Sequence, residues 1–86
     1  MKPRLLIDSE VLTFLSRLKK RDRDFLLMRF EAIRDFPRAH VDYRHRDETG
    51  RDLDGHIAGR FASVFWDDFA DRHIKIMGVT WADDVI

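Results

Sequence analysis

Apolar residues recur with helical spacing up to Phe36 and in strand-like runs from Leu53, and Pro37 stands near the change. Val11, Phe14, Leu15 and Leu18 fall at i, i+3, i+4 and i+7, which is one face of an amphipathic helix. Asp8 or Ser9 suits its N-cap and Glu10 its first turn, while Lys19, Lys20 and Arg21 suit its C-terminal end. Asp22 or Asp24 can cap a second helix carrying Phe25, Leu26, Met28, Phe30, Ile33 and Phe36. Pro37 ends that helix, because the residue before a proline disfavours the α region. Two helices with a short charged joint form an αα-hairpin.

The flanking segments complete the pattern. Arg4-Leu5-Leu6-Ile7 reads as a strand. Residues 38–52 are polar and read as a loop, with at most a ragged edge strand, turning at Thr49-Gly50. Leu53 to Ala58, Arg60 to Trp66 and His73 to Val79 read as three strands, with a tight turn at Gly59 and a longer one from Asp67 to Arg72. The expectation is a single α+β domain over residues 1–86, ordered β-α-α-β-β-β, with the helical hairpin on one face of a small antiparallel sheet.

Composition narrows the class. The 86 residues suffice for one domain with a thin margin of stability. No cysteine is present, which excludes disulfides, thiolate metal sites and a cysteine nucleophile. Met1 to Ile7 carries no long apolar stretch and no run approaches a membrane span, so a cytoplasmic protein without membrane contact is expected. Net charge is zero, but residues 1–51 hold 13 Lys/Arg against 9 Asp/Glu, and residues 52–86 hold 3 against 7. Overall neutrality argues against strong non-specific nucleic-acid binding. The basic half would suit an acidic partner segment.

The last hairpin can be given a register. With Trp66 opposite His73, Val64 faces Lys75, Ala62 faces Met77 and Arg60 faces Val79. Alternation then places Phe61, Ser63, Phe65, Ile74, Ile76 and Gly78 toward the helices. Arg60, Ala62, Val64, Trp66, His73, Lys75, Met77 and Val79 fall on the other face, which mixes apolar with cationic groups and is the expected partner or ligand surface.

Two groups invite a metal reading. His40, Asp42 and His45 match no ligand spacing on one scaffold and read as a solvated loop. Asp67, Asp68, Asp71 and His73 sit in a turn where aspartates are ordinary. Neither a metal nor a cofactor is expected.

The whole chain resembles the RelE/ParE superfamily of bacterial toxins from toxin–antitoxin pairs. The resemblance rests on the helical hairpin ending in Phe36-Pro37, on the segment from Asp54 to Phe65 with its glycine turn, and on Ile74-Lys75-Ile76-Met77-Gly78-Val79. It implies a toxin that blocks translation by ribosome-dependent mRNA cleavage. The family's alternatives are a gyrase-directed toxin without nuclease activity and an inactive binding module.

Cleavage needs a base for a 2′-hydroxyl, cations for the phosphate and an acid for the leaving oxygen. The chain departs from the family here. Ala62 stands where an arginine is expected, and Thr80-Trp81-Ala82-Asp83-Asp84 replaces the usual basic residue and tyrosine after the last strand; Tyr43, the only tyrosine, lies in the central loop. His56, Arg60 and Lys75 are the alternative catalytic candidates. An antitoxin segment is the implied partner, with Arg44, Arg46, Trp66, Met77, Val79 and Trp81 as its expected contacts. A second copy of the chain, forming a homodimer, is a further candidate partner.

Overall fold

The computed structural model describes residues 2–85. A first strand, β1 (Arg4–Ile7), leads into α1 (Ser9–Ser16) and α2 (Lys20–Asp35). A 3-10 turn (Pro37–His40) precedes β2 (Tyr43–Arg46), β3 (Asp52–Ala58), β4 (Phe61–Asp68) and β5 (His73–Trp81), and a second 3-10 turn (Ala82–Asp84) follows. The strands form one five-stranded sheet in the order β1-β5-β4-β3-β2. No helix among the described residues is long and apolar enough to cross a membrane.

Local chemistry accounts for the helix boundaries. The Asp8 carboxylate accepts the Glu10 N–H at 3.0 Å and satisfies one of the orphan donors at the start of α1. The second helix begins earlier than expected, at Lys20, so Asp22 lies in its first turn instead of at its cap. Negative charge there still favours the helix N-terminus. Its end falls before Pro37, as expected.

Val11 and Leu15 of α1 meet Leu26, Phe30 and Ile33 of α2 over Phe61, Phe65, Ile74, Ile76 and Val79 of the sheet. Phe14 and Leu18 pack against this core from its margin. Burying each large apolar side chain contributes on the order of 1.5–3 kcal/mol. The helices cover one sheet face only, and the other is left open.

Three sheet features differ from expectation. First, the sheet is mixed: β1 runs parallel to β5, with Leu5 beside Ile74 and Ile7 beside Ile76, while the other pairs are antiparallel. The two helices carry the chain from β1 to the opposite edge at β2, and the antiparallel steps through β3 and β4 then bring β5 back beside β1 in the same direction. Second, the polar stretch, expected as a loop with at most a ragged edge strand, forms a regular edge strand, β2, paired with β3. One side of an edge strand faces water, so Arg44 and Arg46 are tolerated there.

Third, the register of the last hairpin is shifted. Trp66 lies opposite Lys75, and Asp68 lies opposite His73. An irregularity follows: Phe65 pairs with Ile76 but Val64 with Gly78, so Met77 is an extra residue in β5. Such a bulge reverses the facing of everything beyond it. Val79, expected on the open face, therefore turns into the core and is only 8% exposed, and Gly78 takes the open face instead. Arg60 is not a strand residue. It forms the β3–β4 turn with Gly59, whose φ of +57° suits the first central position of a two-residue hairpin.

Candidate functional site

Alternation through the observed register puts Tyr43, His45, Leu53, Gly55, Ala62, Val64, Trp66, Lys75, Gly78 and Thr80 on the face away from the helices. This face carries an open groove of ≈ 800 Å³. Its floor includes Leu53, Ala62, Val64, Met77 and Gly78. A methyl group on Gly78 would come within 3.1 Å of a Val64 methyl, so Val64 would have to give by a few tenths of an ångström to admit one. The Tyr43 ring lies directly on Gly55, where any side chain would collide with it. Burial, and then the Asp42 charge, raises the Tyr43 phenol above its ordinary value, so it remains protonated at neutral pH.

The rim is acidic. Glu10 and Asp84 stand on the β5 side of the groove, and Asp47 and Glu48 in the β2–β3 turn. Arg51 is the one Arg or Lys among the lining residues, and its guanidinium lies 3.6 Å from Asp47. Asp47 also holds its own turn, accepting the Thr49 N–H at 3.0 Å, the Thr49 hydroxyl at 2.7 Å and the Arg51 N–H at 2.8 Å. The Thr49 hydroxyl and the Arg51 N–H hold its carboxyl below the usual carboxylate range. Arg51 and, beyond the groove, Lys75 lie 4.9 and 4.8 Å from the Trp66 ring centre, within cation–π range. Lys75 also lies 3.3 Å from Asp68.

The expected catalytic residues do not come together. His56 pairs with Ser63, on the helix-bearing side, whereas Lys75 pairs with Trp66 on the open side. His56 is buried between Asp42, 2.9 Å from its Nδ1, and Arg29, 2.8 Å from its Nε2, with the His40 ring edge-on at 5.0 Å. Arginine can only donate, so Nε2 must accept and Nδ1 carries the proton toward Asp42. Burial lowers the His56 pKa, with Asp42 opposing and Arg29 and His40 adding to the effect. Arg60 sits at the hairpin tip, donating to Asp22 at 2.8 Å and lying 5.6 Å from the Trp81 ring centre. His56 from β3 and Lys75 from β5 face opposite sides of the sheet and cannot meet at one substrate atom.

The expected partner contacts are also divided. Arg44 and Arg46 fall on the helix-bearing side and pair with Asp54 at 3.1 Å and Asp52 at 3.3 Å. Trp66 and Met77 are half-buried on the open side, and Val79 is in the core. Trp81, 40% exposed, stacks on Phe61 at 5.0 Å between ring centres and leans on Phe14 at 5.9 Å.

The turn group tightens partly: donor atoms of Asp68, Asp71 and His73 lie within 4.8 Å of one another. Asp68 already has Lys75 beside it and accepts the Asp71 N–H at 3.4 Å. The loop histidines separate, His40 joining His56 and His45 joining the groove. Sequence reasoning missed the placement of Tyr43 and His45. Their i, i+2 spacing in a strand was the available signal. Arg29 gave none.

No protein-family profile matches the sequence, and no curated protein matches it. Solved structures do. A chain of the archaeal RelE–RelB complex from Pyrococcus horikoshii OT3 aligns with a TM-score of 0.75 at 21% identity, over 94% of this chain and 96% of that one. A double-arginine mutant of the E. coli toxin RelE in the free state aligns with a TM-score of 0.68 at 17% identity, over 98% and 87%. The chain therefore has a RelE-like toxin fold.

Proposed function

We propose that this chain is the toxin component of a type II toxin–antitoxin pair, acting in the cytoplasm and held in check by a cognate antitoxin. The support is the fold, shared with a protein solved in complex with RelB and with a free toxin.

The charge of the open groove favours action by binding a protein over cutting RNA. Four lining residues are carboxylates against one arginine, and that arginine lies beside Asp47. Phosphate would be repelled there, because nucleic-acid affinity rests largely on phosphate neutralisation. Ala62 on the groove floor supplies no cation where the family resemblance expects one. A gyrase-directed toxin or an inactive toxin-fold module needs a surface but no acid–base set.

The second reading, ribosome-dependent mRNA cleavage, draws its support from Tyr43, His45, Trp66 and Lys75 sharing one face. Aromatic rings can stack bases, and an imidazole can move a proton. In that reading Lys75 would act from the open face, and His56 and Arg60 only from separate places.

Induction in a bacterium, with and without the adjacent small reading frame, tests both. Growth arrest relieved by the neighbour supports the toxin reading, and absence of arrest rejects it. Intact mRNA with altered plasmid supercoiling supports the gyrase-directed form. New mRNA 5′ ends support cleavage and reject the binding form.

A further inference from the structure

We propose that the open groove is a docking site for a basic peptide segment of another protein, one whose Lys or Arg residues flank an apolar stretch. The proposal deepens the binding reading above by naming the chemistry of what is bound, and it rests on that reading.

The floor supplies the apolar half. Leu53 and Ala62 are buried although they face away from the helices, and Val64, Gly78 and Met77 continue the surface. The bulge in β5 gives Met77 its place there. Bulges commonly re-aim side chains beside functional sites, and a thioether adapts to varied apolar partners.

The rim supplies the charge. Glu10, Glu48 and Asp84 are exposed and have no cationic partner among the described residues. Outside the groove some carboxylates are matched, Asp22 by Arg60, Asp52 by Arg46, Asp54 by Arg44 and Asp68 by Lys75, and others such as Glu31 and Asp71 are not, so what sets Glu10, Glu48 and Asp84 apart is their place around one apolar floor. Glu10, Glu48 and Asp84 approach the groove from both sides, two beside β5 and one from the β2–β3 turn. Low-dielectric walls concentrate such a field and draw in the opposite charge. An acidic segment, which the basic half of the sequence suggested, would meet repulsion here. Arg44 and Arg46, its expected contacts, are already paired on the other face.

The test uses three fluorescein-labelled probes: a short peptide with lysines flanking valine and leucine, the same peptide with glutamates for lysines, and a short single-stranded RNA. Anisotropy is read with the purified full chain at low and high salt. The lysine peptide should bind, more weakly at high salt. Glu10→Gln/Glu48→Gln/Asp84→Asn should weaken it by ~10-fold or more. Glu31→Gln/Asp71→Asn, which removes charge outside the groove, should leave binding unchanged. Thermal melting confirms that each variant is folded, and a folded Met77→Lys variant should also lose the peptide. Failure of the lysine peptide to bind overturns the proposal. So does equal or tighter binding of RNA or the glutamate peptide, or undiminished binding by the folded triple variant. Failure of the toxin reading shows separately, as normal growth on induction.

Discussion

Arg29 donates to Nε2 of His56 across 2.8 Å and so ties the middle of α2 to β3 through a neutral imidazole. Asp42 completes the arrangement, since one of its oxygens accepts both His56 Nδ1–H and the Ile57 N–H at 2.8 Å. Protonation would turn the Arg29 contact into a meeting of two donors and two positive charges.

That geometry predicts acid sensitivity. The folded His56 pKa is depressed, chiefly by burial, so between it and the unfolded value of about 6.5 the unfolded chain binds more protons. The stabilisation is present above about pH 6.5 and is lost as pH falls toward the folded value. Urea unfolding at stepped pH should show this slope in the wild type and a weaker one in His56→Gln. Equal slopes would show that the imidazole is not the titrating group. Asp47 and Asp68 also have lowered pKa values, but they respond only in the carboxylate range below it.

The β5 bulge predicts unequal costs for adjacent positions. Val79→Ala removes buried methyl groups and should cost about 2 kcal/mol. Met77→Ala, at the half-buried groove position, should cost about half as much or less. Chemical denaturation separates them. The reverse ranking would mean that the strand runs without the bulge.

Tyr43 and Gly55 should behave as one unit. Gly55→Ala places a methyl group inside the space of the Tyr43 ring, and overpacking of this kind costs about 1–3 kcal/mol. In a Tyr43→Ala background the same change should cost little. A double-mutant cycle with no coupling would place the ring elsewhere.

Trp81 should serve stability before it serves a partner. Its contacts with Phe61 and Phe14 predict that Trp81→Ala lowers stability by about 1–3 kcal/mol. Trp81→Phe should recover most of that. If Trp81→Ala melts like wild type while losing the antitoxin in a pull-down, the ring is an interface anchor and not a packing element.

Residues whose burial follows from their own spacing were legible beforehand. Val11 and Leu15 on one helix stripe, and Phe61 and Phe65 on one strand face, fall in the core because period and burial coincide. Strand β2 was legible only as a ragged edge, because Tyr43-Arg44-His45-Arg46 has no apolar alternation. Its signal lies across the hairpin, where Arg44 and Arg46 stand opposite Asp54 and Asp52. The bulge depends on how two strands meet and leaves no mark in β5 alone. The site suffered most. His56 reads as a cation near a turn, and only Arg29, distant in sequence, makes it a buried neutral link.

The parallel pairing of β1 with β5 also orders events in time. Strand β1 is made well before its neighbour, since Leu5 and Ile7 pair with Ile74 and Ile76. Closing so long a loop is a slow, non-local step. A nascent chain ending at Asp71 lacks the strand that joins β1 to β4, and in solution it should show helical signal without cooperative melting. A ribosome making this protein would carry the domain in unfinished form until the codons for His73–Trp81 had been read, which delays any activity of the fold until β5 has been made.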